Sequence, residues 1–400
     1  MKNMKKILSF VLGASLMGMS LAGCGETNTG DQSTGGKTIK IGVFEPASGD
    51  NGAGGKQEVL GIRYANTVVP TVTVGGEEYT IELVEVDNQS STDKAVSAAE
   101  TLVSKGVSAV LGTYGSGAAI AAAPTFNNAK IPAIGCSCTN PAVTAENPYY
   151  SRVCFLDPFQ GSVMANFAKD QFSAKTAYIL TMLGEDYGNG LGNYFKEAFE
   201  KLGGTVISET FPEGTSDFSA YLQNAAKANA DVIFAPSATT YASLIITQAK
   251  SAGITIPILA GDTWESSVIL DAQNGSGLDV YCSTFFDEND DAGKAKEFVT
   301  GFKKYLNSDS KNLTNNGGND IVAAVSALGY DAYMVAVEAI KAADSTSGEE
   351  IQKAILALST EGVTGSISFD EKGDAKKTMA YIKKANDGKF DFVKTQSVSE

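Results

Sequence analysis

The chain has 400 residues, 43% hydrophobic and 19% charged, enough apolar material for more than one folded domain and too much for a disordered chain. It contains no histidine, which excludes Ser-His-Asp and Cys-His catalysis and every histidine-ligated metal or haem. Thirty-one Lys and Arg against 46 Asp and Glu give a net charge of −15, a balance that repels phosphate backbones and speaks against nucleic-acid binding.

Lys2, Lys5 and Lys6 form a positive n-region, and residues 7–20 are an uncharged, mostly apolar run too short to span a bilayer comfortably. The run ends in Leu21-Ala22-Gly23-Cys24, which reads as a bacterial lipobox. Small residues suit the signal peptidase, and the Cys24 thiol takes the lipid. Residues 1–23 are therefore expected to be a lipoprotein signal peptide. Residues 24–37 are polar and rich in Gly and Thr, the composition of a flexible tether. Such a chain works outside the cytoplasmic membrane and is anchored by its lipid alone. Cys136, Cys138, Cys154 and Cys282 remain. Their spacing matches neither a CxxC motif nor a zinc site, so buried thiols or one disulfide are expected and a metal is not.

After the tether, β-branched apolar runs at 38–44, 79–87, 108–112 and 131–135 read as strands. Helical stretches lie between them at 55–67, 92–105 and 118–128. The alternation restarts with helix 162–172, strand 176–182, helix 191–202 and strand 205–211. It continues through helix 218–229, strand 231–235, helix 241–252 and strand 256–260. A third block at 292–359 is almost all helical, and the tail has strands at 365–369, 378–384 and 390–395. Asn386-Asp387-Gly388 joins the last two as a hairpin turn. The fold class is α/β, with two doubly wound parallel sheets, each covered on both faces.

Ligands of such sheets bind beyond the carboxyl ends of the strands, so the loops after strands are the candidate sites. After 108–112 comes Thr113-Tyr114-Gly115-Ser116-Gly117, a Gly-rich turn into a helix. Its free backbone N–H groups and the Ser116 hydroxyl suit a carboxylate or phosphate. Cys136-Ser137-Cys138-Thr139 follows the neighbouring strand and adds donors. In the second layer, Glu185-Asp186-Tyr187 and Asp262-Thr263-Trp264 offer carboxylates and aromatics but no fixed cation. A donor-rich wall facing an acid-and-aromatic wall suits a zwitterion with an apolar side chain. Gly54-Gly55-Lys56-Gln57 is not a P-loop, Gly188-x-Gly190-x-Gly192 is not a dinucleotide fingerprint, and no nucleophile-base pair is visible, so neither catalysis nor a cofactor is expected.

Nine motifs in order carry a resemblance: IKIGVFEPASGD (39–50), GVSAVLGTYGSGAAIAAAP (106–124), IPAIGCSCTNPAVT (131–144), FLDPFQG (155–161), EDYGNGL (185–191), DFSAYL (217–222), AGDTW (260–264), ALGYDA (327–332) and GVTGSISFDEKGD (362–374). Together they resemble the branched-chain amino acid-binding lipoproteins of ABC importers, which have the type I periplasmic-binding-protein fold. The resemblance implies two lobes joined by a three-strand hinge, with crossings near 152–157, 280–287 and 363–370. Lobe 1 would hold 38–156 and 287–364, and lobe 2 would hold 157–286 and 365–400. It implies an amino acid bound between closing lobes by a monomer that delivers it to ABC permease and ATPase subunits. Short amides, urea, or a ligand-sensing role are the alternatives.

Residue by residue, Ser116 matches the hydroxyl on the α-carboxylate. Thr139, with backbone near Ser137 and Cys138, matches the rest of the carboxylate and ammonium site. Tyr187 matches the closing aromatic, and Asp262 the acid on the ammonium, with Trp264 beside it. The chain departs from the family in carrying Gly54 and Ala238 where aromatics are frequent, and Glu45 where a small or apolar residue is usual.

Overall fold

Buried β-branched runs assemble into two separate sheets in the computed structural model, which describes residues 36–290 and 293–397. The expected signal peptide, Cys24 and nearly all of the tether lie outside the described residues. The first sheet contains β1 (Lys37–Glu45), β2 (Thr71–Val74), β3 (Glu77–Asp87), β4 (Ala109–Leu111), β5 (Ala133–Gly135) and β6 (Tyr150–Arg152). Their order is β2-β3-β1-β4-β5-β6, parallel except for β2 against β3. Ile39, Ile41 and Val43 of β1 are buried, as a central strand covered by helices requires. β2 lies outside the expected elements. Its four residues are too few for a pattern, and Gly75-Gly76, at φ 60° and 77°, folds it back onto β3.

The second sheet holds β7 (Thr176–Met182), β8 (Thr205–Phe211), β9 (Val232–Phe234), β10 (Ile258–Ala260) and β11 (Val280–Thr284), all parallel where they pair. A small ribbon of β12 (Ser359–Gly362) and β13 (Gly365–Ser368) stands apart. β14 (Ala380–Asn386) and β15 (Lys389–Gln396) then add an antiparallel edge, giving the order β15-β14-β11-β10-β9-β7-β8. The expected C-terminal hairpin thus pairs with β11, and Gly388 takes a positive φ of 83° in its turn.

The helical block returns to the first sheet. Helix Ala324–Ala343 packs on helix Gly52–Val68. A Cβ on Gly61 would stand 1.9 Å from the Ser326 carbonyl oxygen, and one on Gly329 would stand 2.4 Å from that of Glu58. Only glycines allow the two backbones to come so close.

The chain passes between the sheets after β6, after β11 and before β14. Phe155 and Phe285, on two of these connections, pack with ring centroids 4.2 Å apart and planes tilted by 33°. The third connection runs later than 363–370. Val363 and Thr364 donate to Asp331, Arg152 N–H donates to Gly373, and Arg152 pairs with Asp374. These bonds keep 363–374 beside the first sheet, and the chain joins the second only at Ala380.

Candidate functional site

In each sheet the strand order reverses at one point. In the first it lies between β1 and β4, and in the second between β7 and β9. The loops leaving these strands splay apart and form a crevice. The two crevices face each other across one cleft of about 510 Å³, lined by Asn51, Ser91, Tyr114, Gly115 and Ser137 on one side and by Tyr187, Ser237, Ala238, Tyr241 and Thr263 on the other. The walls touch. Asn140 Nδ2 donates to the Asp186 carbonyl (2.8 Å), Thr239 Oγ1 to that of Asp50 (3.2 Å), and the Tyr114 hydroxyl to that of Thr263 (3.3 Å).

The first wall is built for donors. Gly115, at φ 105°, turns the chain into helix Ser116–Ala129, whose first N–H groups have no partner in their own helix. Ser116 Oγ accepts from Asn140 N–H (3.1 Å), which leaves its own hydrogen available to a ligand. The loop carrying Ser137 and Thr139 is fixed from behind by Arg152. This buried guanidinium donates from Nη1 to the carbonyls of Cys138 and Asn140 (both 2.7 Å), from Nε to Asp374 (2.6 Å) and from Nη2 to Thr144 (3.1 Å).

The second wall is acidic. Asp262 opens the short 3₁₀ turn after β10 and is buried. Its Oδ1 accepts from Gln160 Nε2 (2.8 Å) and from the Tyr187 hydroxyl (3.0 Å), while Oδ2 is buried with no protein donor. A Cβ on Gly261 would meet the Tyr187 hydroxyl at 2.3 Å, so the turn requires glycine there. Burial raises Asp262 to about 6, against the pull of its two hydrogen bonds. Behind the first wall, burial and the neighbouring Glu58 push Glu45 well up, and burial raises Glu58 to about 7. Asp157 rises to about 8 for the same reason of burial. None of the cleft-lining residues is Lys or Arg. Carboxylates held this dry attract a cationic group on a ligand.

Of the expected site residues, Ser137 and Tyr187 line the cleft, whereas Ser116, Thr139 and Asp262 are buried and are not among its lining residues. Two do not reach it with their side chains. Trp264 is fully buried in the second sheet's core, its indole N–H bonded to the Ser237 carbonyl. Cys138 packs into the first sheet's core, where its Sγ would contact a Cβ on Gly135 at 2.4 Å. Both sit beside polar site residues on short turns, and alternation turns them inward. The four described cysteines are unpaired and buried, and no described helix is long and apolar enough to cross a membrane.

Gln160, Arg152, Glu58 and Tyr114 were not singled out as site residues, although Gln160 sits inside the 155–161 motif. The Tyr114 ring also accounts for Gly54, since a Cβ there would fall 2.3 Å from it. An aromatic donated by the neighbouring loop takes the space beside Gly54. Similarly, Tyr241 lines the cleft one helical turn beyond Ala238.

The periplasmic binding protein family matches residues 38–389, and the chain belongs to it. A leucine-binding protein, LivK, from Thermotoga maritima is 34% identical and superposes with a TM-score of 0.83, covering 90% of this chain and 99% of that one. LivJ from Streptococcus pneumoniae, a branched-chain amino acid transporter substrate-binding protein in complex with isoleucine, is 29% identical with a TM-score of 0.79, covering 90% of this chain and 99% of that one. A Leu/Ile/Val-binding protein homologue of Brucella melitensis is 27% identical, covering 88% of this chain and 92% of that one. Family and fold are those of solute receptors.

Proposed function

We propose that this protein is the extracytoplasmic receptor of an ABC importer and binds an α-amino acid with a branched-chain or other apolar side chain. The observation that carries this reading is the pairing of opposite polarities across one cleft. A helix N-terminus and the Ser116 hydroxyl belong to the first wall, and a dry carboxylate, Asp262, whose Oδ2 has no protein donor, belongs to the second. A carboxylate at the first and an ammonium at the second satisfy both. Thr139 and Ser137 extend the polar end, and Tyr187 both orients Asp262 and covers the ligand. The leucine-binding LivK, LivJ with its isoleucine and the Leu/Ile/Val-binding protein homologue support the same class.

In this reading Cys24 carries the lipid, residues 24–37 are the tether, and permease and ATPase subunits receive the ligand from a monomer. Lobe 1 comprises 38–156 and 287–374 and lobe 2 comprises 157–286 and 380–400, because Arg152 keeps Asp374 beside the first sheet and β14 pairs with β11 in the second. The proposed site needs no cofactor. Mass spectrometry of the small molecule retained by the purified protein tests the reading. A leucine-class amino acid supports it. A short amide or urea, which lack the carboxylate, overturns it in favour of an amide receptor.

A further inference from the structure

Glu45 and Glu58 form a buried acid pair behind the first wall, and the amino acid reading leaves it unexplained. They are 2% and 0% exposed. One carboxylate oxygen of each lies within 4.8 Å of the other and of Cys136 Sγ. Glu45 Oε2 accepts from the Tyr114 N–H (2.7 Å), while Glu45 Oε1 and Glu58 Oε2 have no protein donor. Two ionised carboxylates do not persist side by side in so dry a place, and one proton shared between them satisfies both oxygens. The fold is shaped around the pair. Gly112 sits at φ 117°, and a Cβ there would stand 2.6 Å from Glu45 Oε1.

Glu58 reaches the cleft through one bond, accepting the Ser137 hydroxyl hydrogen at Oε1. A hydroxyl has one hydrogen and two lone pairs. With its hydrogen committed to Glu58, Ser137 meets the cleft only as an acceptor. Ser116 is the reverse case, because it already accepts from Asn140 and has its hydrogen to offer. The two serines thus have opposite polarity, and the Glu58 charge stands behind the accepting one. The charge of Asp262 acts on Glu58, that of Cys138 on Glu45, and Cys136 lies beside the pair.

We propose that Glu58, backed by Glu45, determines specificity for the ligand's ammonium by holding the Ser137 hydroxyl as an acceptor, so that the cleft rejects analogues lacking that ammonium. The proposal rests on the amino acid reading above. Glu58 acts through Ser137 and is a positioning residue, so its test must separate discrimination from mere folding.

Calorimetry with leucine and with 4-methylpentanoate, its deaminated analogue, on the wild type, Glu58→Gln, Ser137→Ala and the double variant provides that test. Glu58→Gln keeps an amide oxygen that accepts from Ser137 but removes the charge behind it, and is expected to reduce the leucine preference about tenfold. In the Ser137→Ala background the same substitution should change the preference by less than about threefold. Should Glu58→Gln fail to fold, Glu45→Gln and Glu45→Leu give the same reading. The Gln amide accepts from Tyr114 and donates permanently to Glu58, so it should keep the leucine preference, whereas Leu should reduce it. An unchanged preference in Glu58→Gln, equal loss of both ligands, an undiminished effect without the Ser137 hydroxyl, or equal behaviour of the two Glu45 variants overturns the inference alone. Failure of wild-type protein to bind any α-amino acid overturns the amino acid reading and this inference with it.

Discussion

At the scale of single residues, the cleft ranks its own contributions. Asp262 is 2% exposed, and one of its oxygens has no protein donor. Removing one partner of a desolvated charge pair costs about 3–5 kcal/mol. Asp262→Asn should therefore weaken leucine binding on the order of a hundredfold or more by calorimetry. Ser116→Ala removes one charge-assisted bond of several, about 1.5–3 kcal/mol, because the helix N–H groups remain. The reverse order of losses would show that Asp262 does not hold the ammonium. The pH dependence follows from the same acid. Burial holds Asp262 at about 6, and an arriving ammonium stabilises its charged form and lowers that value. Binding at and below about pH 6 should release protons, and affinity should rise with pH up to about 6 and level off above it. Titrations in buffers of different ionisation enthalpy read this directly, and proton uptake would contradict it. Ser116, Ser137, Tyr187 and Asp262 were legible because each follows a buried strand at the carboxyl end of a parallel sheet, where ligands bind. Arg152, Glu58 and Gln160 were not, because they act from behind the loops through contacts that only the fold creates.

At the scale of elements, the sequence shows a strand where several apolar residues, β-branched and aromatic among them, are buried in succession, as in β1 and β7. It hides β2, whose four residues alternate in burial and gain their place only from pairing with β3. It also misplaces the third crossing. The motif at 362–374 was visible, but nothing in its pattern reveals that Asp374 is held by Arg152, 222 residues away in the chain. That ion pair also fixes the loop carrying Ser137 and Thr139, since Arg152 holds the carbonyls of Cys138 and Asn140. Arg152→Met should lower stability by about 3–5 kcal/mol, leaving Asp374 buried without its partner. Denaturant melts would measure the loss, and calorimetry should show weaker binding in whatever remains folded. An unchanged midpoint would mean that the pair is replaceable by water.

At the scale of the whole molecule, two sheets face each other across one cleft with buried acids around it, and their protonation links pH to stability. Burial raises Glu58 and Glu185 to about 7, Asp157 to about 8 and Asp262 to about 6 in the folded state. A carboxyl group whose folded value is raised binds more protons folded than unfolded, so its contribution is present at low pH and lost as pH rises through the folded value. From these groups, ligand-free protein should lose stability between about pH 4 and 8. Melting temperatures across that range would show it, and a saturating amino acid should flatten the trend. The lobes meet at Phe155–Phe285 and across the cleft through Asn140–Asp186, so scattering should show a smaller radius of gyration with ligand than without. The measurement that bears most directly on the central claim is a titration of ligand-stripped protein with leucine, leucinamide and 4-methylpentanoate. The opposed polarities of the Ser116 and Asp262 walls require both the carboxylate and the ammonium. Leucine should therefore bind at least about a hundredfold more tightly than either analogue, the scale of one unpaired buried charge. Binding of 4-methylpentanoate or leucinamide within about tenfold of leucine would contradict the account, since one end of the ligand would then contribute less than about 1.4 kcal/mol.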